Sequence, residues 1–291
     1  MPTTCRGPRL RPRVTVLVRP TGIVQLGCDP ETAVLLGPEG MDSDTVLTFL
    51  RLLDGLHTKP QIIWQAGERG IEPEDAGTLL TLIDEAGLLE HPGNRAGPVR
   101  AVRVHGLGPL SDSVSAGLCT LGIRPSRSLD YPYGMATART WGADLVILAD
   151  ALMPDPRLVN DLLLYRIPHL QLRIRDNKGV IGPLVLPGAT SCLRCAELIR
   201  AQHDTDWPHL AAQLLGRVGH ASPAGITATT AVALGELEAI LECSPHRPPA
   251  TLNATMELDL DSHALDRRIW HRHPACVCAR VLSDTGAETN R

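Results

Sequence analysis

The spacing of apolar residues changes character along this chain, and each change marks an element. Val14-Thr15-Val16-Leu17-Val18 alternates and is rich in β-branched residues, Gly22 begins a return through Ile23 to Leu26, and Ala33 to Leu36 is a third short run. Three strands are predicted there. Ser43 suits an N-cap, and Val46, Phe49, Leu50 and Leu53 then recur at helical spacing until Gly55. Ile62 to Ala66 predicts a second, short helix. Pro73 suits a first helical turn, and Leu79, Leu82, Ile83 and Ala86 line one face of a third helix that Gly87 ends. Three strands followed by three helices predict a small α+β, winged-helix-like domain over residues 1–93.

The run from His91 to Pro98 is rich in chain breakers and reads as a linker, placed at 94–98. Beyond it the pattern changes. Val99 to Val104 predicts a strand, Ser111 can cap a helix reaching about Leu121, and Asp144 to Ala149 is a nearly continuous apolar strand of the kind buried in a parallel sheet. Arg157 to Tyr165 reads as helix, Leu170 to Ile174 as strand, Asn177-Lys178-Gly179 as a turn, and Val180 to Leu186 as the next strand. A long Ala/Leu helix over Ala224 to Leu241 and a strand over Thr251 to Leu260 follow. Strand–helix alternation predicts a doubly wound α/β domain over 99–291.

Composition narrows the picture only modestly. At 43% hydrophobic and 21% charged the chain is an ordinary globular protein, and aromatics are scarce, so Leu, Val, Ile and Ala must build the core. The net charge of -4 carries no signature of a nucleic-acid binder. No apolar run approaches the ~20 residues of a membrane span, and Met1 to Arg13 is basic without an apolar core, unlike a secretory signal. The expectation is a cytoplasmic protein with reduced thiols.

Against that background two cysteine pairs stand out, Cys192-Leu-Arg-Cys195 and Cys276-Val-Cys278, about eighty residues apart. Two short chelating turns of soft ligands suit a tetrahedral zinc ion, and four thiolates leave no open position, so the zinc would be structural. Unligated thiols are the plainer alternative. His273, three residues before Cys276, is a reserve ligand. Cys5, Cys28, Cys119 and Cys243 have no chelating spacing and read as small apolar residues.

A second candidate is the loop Gly106-Leu-Gly108-Pro-Leu-Ser111 between a strand and a helix, the geometry in which backbone amides approach a pyrophosphate. It departs from the full pattern. Ser111 stands where the third glycine belongs, Pro109 lacks an N–H, and Asp112 adds a negative charge at the helix start. Asp130 lies 22 residues past Gly108, near the spacing of a ribose-binding carboxylate. The alternative is a loop that only packs strand against helix.

The stretch Gly179 to Cys195, with Gly182-Pro183, Pro187-Gly188 and Cys192-Leu-Arg-Cys195, resembles the approach to the first zinc pair in the ThiF-like family, the ubiquitin-activating-type adenylating fold. His203-Asp-Thr-Asp-Trp-Pro208 and His273-Pro-Ala-Cys276-Val-Cys278 resemble actinobacterial cyclodehydratase-like proteins that bind the leaders of TOMM precursors, ribosomal peptides modified with thiazoles and oxazoles. The resemblance implies a Rossmann-like ThiF-type domain with structural zinc on Cys192, Cys195, Cys276 and Cys278, preceded by a leader-recognition domain. It implies a scaffold that presents the precursor peptide to a YcaO-type partner protein, which would use ATP to form the azole rings. The leader would add as a strand beside Ala33–Leu36 and under the third helix, with Val34, Leu36, Leu79 and Leu82 as contacts. The plainer reading of those leucines is core. A homodimer is also implied.

Active members of the wider fold hold magnesium ATP on a complete glycine loop, an arginine, a lysine and an aspartate, and Asp150 matches that aspartate. Gly106, Gly108 and Asp150 are therefore the cofactor candidates. Val99 to Asn177 holds no lysine, and Arg139 is the available arginine between Asp130 and Thr140. A peptide-binding scaffold that is not an enzyme on its own is the first reading. An adenylating enzyme acting on the carboxyl terminus of a peptide or carrier protein is the second. A DNA-binding winged helix is the third. Its support is Arg6, Arg9, Arg11, Arg13 and Arg19, but its third helix carries Glu74, Asp75, Asp84 and Glu85 and would repel phosphates.

Overall fold

A computed structural model describes residues 7–37, 40–91, 99–129, 131, 137–243 and 247–279. The linker expected at 94–98 and Asp130 lie outside them. The chain divides into two compact units, Met1–Arg95 and Ala96–Arg291.

The first unit runs β1 (Arg9–Leu10), β2 (Val16–Val18), β3 (Val24–Leu26), β4 (Val34–Leu36), α1 (Ser43–Arg51), α2 (Lys59–Gly67), α3 (Pro73–Glu85) and β5 (Leu89–Glu90). β2, β3 and β4 form an antiparallel sheet in that order, so β2 and β4 are its edges. Fully buried Val24, Leu26, Leu36, Phe49, Ile62, Leu79 and Ile83 make the core between sheet and helices. The cap of α1 is one residue earlier than the sequence predicts. Asp42 is the N-cap, its carboxylate accepting from Thr45 N–H at 2.8 Å, a stronger acceptor for the helix dipole than the Ser43 hydroxyl. The β1–β5 pairing, Arg9 against Glu90 and Leu10 against Leu89, was not predicted, because two-residue strands leave no periodicity.

The second unit contains β6 (Val102–His105), α4 (Pro109–Thr120), β7 (Ser126–Ser128), α5 (Thr137–Thr140), β8 (Leu145–Ala149), α6 (Pro156–Leu164), β9 (His169–Arg175), β10 (Lys178–Val185), α7 (Leu193–His203), α8 (Trp207–Gln213), α9 (Pro223–Glu242), β11 (Ala254–Asp259) and β12 (Leu265–Ile269). One seven-stranded sheet has the order β12-β11-β10-β9-β8-β6-β7. β7, β6, β8 and β9 are parallel neighbours, while β9 through β12 form antiparallel pairs. The fold is therefore mixed α/β with a parallel half and an antiparallel half. The turn between β9 and β10 is Asp176-Asn177, both at positive φ, one residue earlier than predicted. Two such residues in a two-residue hairpin match the right-handed twist of the strands.

The two faces of this sheet are packed differently. Leu170, Leu172 and Ile174 of β9 join Val104, Leu145, Ile147 and α4 and α9 in one apolar layer. On the other face Val146, Leu148 and Val185 pack with α6 and the four clustered cysteines. α9 corrects the expectation that no segment has the length and apolarity of a membrane span, since its twenty residues have both. It is a core helix: Ala233, Leu237 and Ile240 are buried, and buried Glu236 accepts from the Thr251 N–H and hydroxyl at 3.0 Å each.

Candidate functional sites

Cys192 is the N-cap of α7 and Cys195 lies in its first turn, while Cys276 and Cys278 arrive from the chain after β12. All four are buried, and their sulfur atoms lie within 4.8 Å of one another. Individual separations are 3.8 Å for Cys192–Cys195, 3.5 Å for Cys192–Cys276 and 3.3 Å for Cys195–Cys278. These are far beyond the ~2.05 Å of a disulfide and close to the roughly 3.8 Å edge of a tetrahedron with about 2.3 Å zinc–sulfur bonds. The four thiols can therefore hold a metal ion such as zinc.

Their protons are unevenly held. The hydrogen bond donated by Cys192 lowers the Cys195 thiol to about 4. The same bond holds the Cys192 proton and raises that thiol, and burial lifts Cys278 to about 12. An α-helix N-terminus beside Cys195 favours the anion. A divalent cation would replace the remaining protons and convert a shared thiolate into four. His273, the reserve ligand, is turned into its own loop: its Nδ1 accepts from Ala275 N–H at 3.1 Å and its carbonyl accepts from Cys276 N–H at 2.9 Å.

The glycine loop is built from the opposite logic. Gly106 has φ +146°, and a Cβ there would meet the Ala149 carbonyl oxygen at 2.4 Å, so only glycine fits. Gly108 is the N-cap of α4, with Pro109 as its first residue; α4 thus starts before Ser111, correcting the predicted cap. Asp150, at the end of β8 with φ 70°, turns its buried carboxylate onto this helix end. Leu110 N–H donates to Asp150 Oδ1 at 3.0 Å and Ser111 N–H to Asp150 Oδ2 at 3.2 Å. A Cβ on Gly108 would meet that carboxylate at 2.7 Å. Ser111 completes the turn, its hydroxyl accepting from Gly108 N–H at 3.0 Å and donating to Gly108 O at 2.8 Å. Asp112 pairs with Arg127 at 2.6 Å. The amides that would receive a phosphate thus already hold a carboxylate of this chain. Asp150 is brought to the loop as predicted, but as a helix cap. Its capping role has no local signal, since Asp150 is forty residues from Leu110.

In the first unit the peptide-contact candidates separate. Leu36 and Leu79 are each 1% exposed and belong to the core, which corrects their assignment as contacting side chains. Val34 is half-buried, and Leu82 is 45% exposed on the outer face of α3, where it lines a shallow concavity with Glu74, Gly77, Thr78 and Thr81. Leu35, not singled out from the sequence, is exposed in the middle of β4. Gly27 N–H donates to Thr15 O and Arg19 N–H to Ile23 O, so the ladder turns Leu17 and Gln25 toward each other and Val24 and Leu26 toward β4. Alternation then leaves the Leu35 N–H and C=O on the side of β4 that has no strand partner among the described residues.

No protein-family model matches this sequence, and no curated protein matches it. Solved structures do match in fold. The heterocyclase TruD aligns over 98% of this chain and 45% of its own, with TM-score 0.65 and 17% identity. A heterocyclase in complex with substrate and cofactor aligns over 98% and 41%, with TM-score 0.62 and 18% identity. MccB of E. coli, with AMPCPP and MccA, aligns over 94% and 99%, with TM-score 0.60 and 13% identity. The chain spans less than half the length of the two heterocyclases. At these identities the likeness is one of fold.

Proposed function

We propose that this protein binds the leader of a ribosomal precursor peptide and presents it to a YcaO-type cyclodehydratase for azole or azoline formation. The open β4 edge carries the reading. Its middle residue offers a backbone donor, a backbone acceptor and an exposed leucine, the requirements for adding a strand. The fold likeness to a heterocyclase with substrate and to MccB with MccA supports a role in precursor-peptide processing. The four thiols support a structural zinc site, and the domain assignment 1–93, 94–98 and 99–291 belongs to the same proposal. In the alternative, the chain adenylates a carboxyl terminus; MccB has been solved with ATP. The Asp150 carboxylate on the α4 amides argues against it here.

Two titrations test this. Magnesium ATP added to the zinc-loaded protein should give no heat at millimolar nucleotide; micromolar binding would restore the enzyme reading. A labelled Cys/Ser/Thr-rich precursor peptide should bind, and Leu35→Pro, which removes the outward N–H on an edge strand that tolerates proline, should weaken binding about tenfold without changing the circular dichroism.

A homodimer is part of the same proposal, and β12 supplies a mode. All five of its residues are exposed and its outer side has no strand partner among the described residues. Trp270 N–H donates to Asn253 O and Asp259 N–H to Ala264 O, so Leu265, Arg267 and Ile269 direct their backbone groups outward. Two antiparallel copies centred on Arg267 would pair Leu265 with Ile269 at wide positions and Asp266 with Arg268 at the close, non-hydrogen-bonded ones. Asp266→Arg should shift the protein to monomer in sedimentation, and adding Arg268→Asp should restore the dimer. A wild-type monomer would end this assignment.

A further inference from the structure

β9 carries a buried cation without a carboxylate of its own. Its apolar side chains fill one face of the sheet, and His169, Gln171 and Arg173 occupy the other, with 0%, 2% and 4% exposure. Arg173 donates from Nη1 to Leu152 O at 3.1 Å, in the loop that follows β8. Among the described residues, its Nε and the Gln171 Nε2 have no hydrogen-bond partner, and no carboxylate forms an ion pair with Arg173. The nearby acids are committed elsewhere: Glu197 binds Arg200 and receives the Trp207 Nε1–H at 2.6 Å, and Glu257 receives the Thr255 hydroxyl at 3.4 Å. Two cations and two carboxylates act on Arg173, and neither carboxylate pairs with it. Burial, then Arg200 and Arg175, lower its guanidinium to about 9, and Glu197 and Glu257 only partly oppose them.

A guanidinium taken out of water costs several kcal/mol unless an anion with good geometry joins it, and unpaired amide donors add to that cost. We propose that Arg173 and Gln171 form a binding site for a small carboxylate. The Arg173 Nε–H and the Gln171 amide would each donate to it, a donor set that suits two oxygens. The position fits, because Arg173 lies near the carboxyl end of a parallel strand, beside the loop after its neighbour, where open α/β sheets place ligands. Arg175 stands at the end of the same strand, paired with the exposed Asp176 at 3.5 Å, so that pair and not Arg173 uses the nearest carboxylate on this strand end. The site shares no residue with the cysteine cluster or the glycine loop, and it stands or falls independently of peptide recognition.

The test uses the full zinc-loaded chain. Sodium acetate is titrated against sodium chloride at constant ionic strength, and the unfolding midpoint is followed. Acetate should raise the midpoint saturably, as a ligand of the folded state does. Arg173→Met, which replaces a buried ion by an apolar group of similar length, should fold and lose the acetate response. Gln171→Leu keeps the cation and should weaken the response about tenfold, a result available even if the methionine variant does not fold. Equal effects of acetate and chloride on the wild type would overturn the proposal, as would an undiminished response in either variant. A response to inorganic phosphate with none to acetate would overturn the carboxylate assignment.

Discussion

Two helix starts in the second unit, at Cys192 and at Gly108, pose the same physical problem and solve it in opposite ways. Each leaves unpaired amides and the positive end of a helix dipole at the end of a loop. At α4 the chain supplies its own anion, Asp150, along with the Ser111 hydroxyl, and the end is closed by groups already present. At α7 four sulfur atoms converge with one lowered thiol among raised ones, an arrangement that could hold a cation such as zinc. A glycine loop by itself therefore says little about nucleotide binding; what occupies its amides decides. A cysteine cluster says more, because four buried thiols within 4.8 Å of one another match the ligand set of a tetrahedral metal ion.

The largest effect should come from breaking the α7 side. Cys195→Ser, or a strong chelator, should release zinc and abolish cooperative unfolding of the second unit. Structural zinc contributes on the order of 10 kcal/mol, comparable to a domain's whole stability of roughly 5–15 kcal/mol. Metal analysis with circular-dichroism melts reads this directly. Equal melting temperatures for metal-free and zinc-loaded protein would leave the cluster as four unligated thiols.

Acid should break the α7 side, because protons compete with a metal for its thiolates. One background group must first be removed. His169 is fully buried, its Nδ1–H donates to Ile167 O at 2.9 Å, and burial lowers it to about 4. Between that value and the unfolded ~6.5 the unfolded chain binds a proton that the native chain refuses. Stability therefore falls as pH drops from about 6.5 to about 4 and is unaffected above that window, by about 3 kcal/mol in full. His169→Gln should flatten this part of a denaturation–pH profile. Above about pH 5, where the lowered carboxylates of Asp42, Asp84, Asp155 and Asp259 are still ionised, the acid sensitivity that remains and tracks zinc release belongs to the cysteines.

Asp150→Ala should cost about 2 kcal/mol in urea unfolding, the loss of a charged cap with two buried amides left unmet. Asp150→Asn, which keeps one oxygen acceptor, should cost less. If the alanine variant is as stable as the wild type, the α4 amides are satisfied by something other than Asp150.

Long elements were legible in the sequence, because period and length determine them: α3, α9, β8 and the β9–β10 hairpin all fall within two residues of the pattern that predicts them. The convergence of the four cysteines is legible for a related reason, since two short chelating turns constrain themselves locally. What escaped depends on distance or on alternation. β7, β12 and α8 are exposed elements with no apolar face to read. Leu170 to Ile174 read as a plain apolar strand, although His169, Gln171 and Arg173 alternate with its leucines. Leu36 and Leu79 showed the same limit: spacing identified a face but not whether the core or a partner covers it. Asp150 is legible by its place after a strand but its bonds to the Leu110 and Ser111 amides are not, because a carboxylate that could hold magnesium and one that caps a helix occupy the same position.

The smallest effect is expected at Ser111, and it bears most directly on what the glycine loop is for. Ser111→Gly supplies the third glycine that the pattern lacks. It removes one acceptor and one donor from Gly108, and it adds backbone freedom in a first helical turn, so it should cost about 1 kcal/mol. If the substituted glycine were what barred nucleotide, this change would bring magnesium ATP binding into reach. Because Asp150 still holds the Leu110 and Ser111 amides, no binding should appear in calorimetry. Heat in Ser111→Gly alone would show that the serine closes the loop. Heat only when Asp150→Ala is added would show that the carboxylate does.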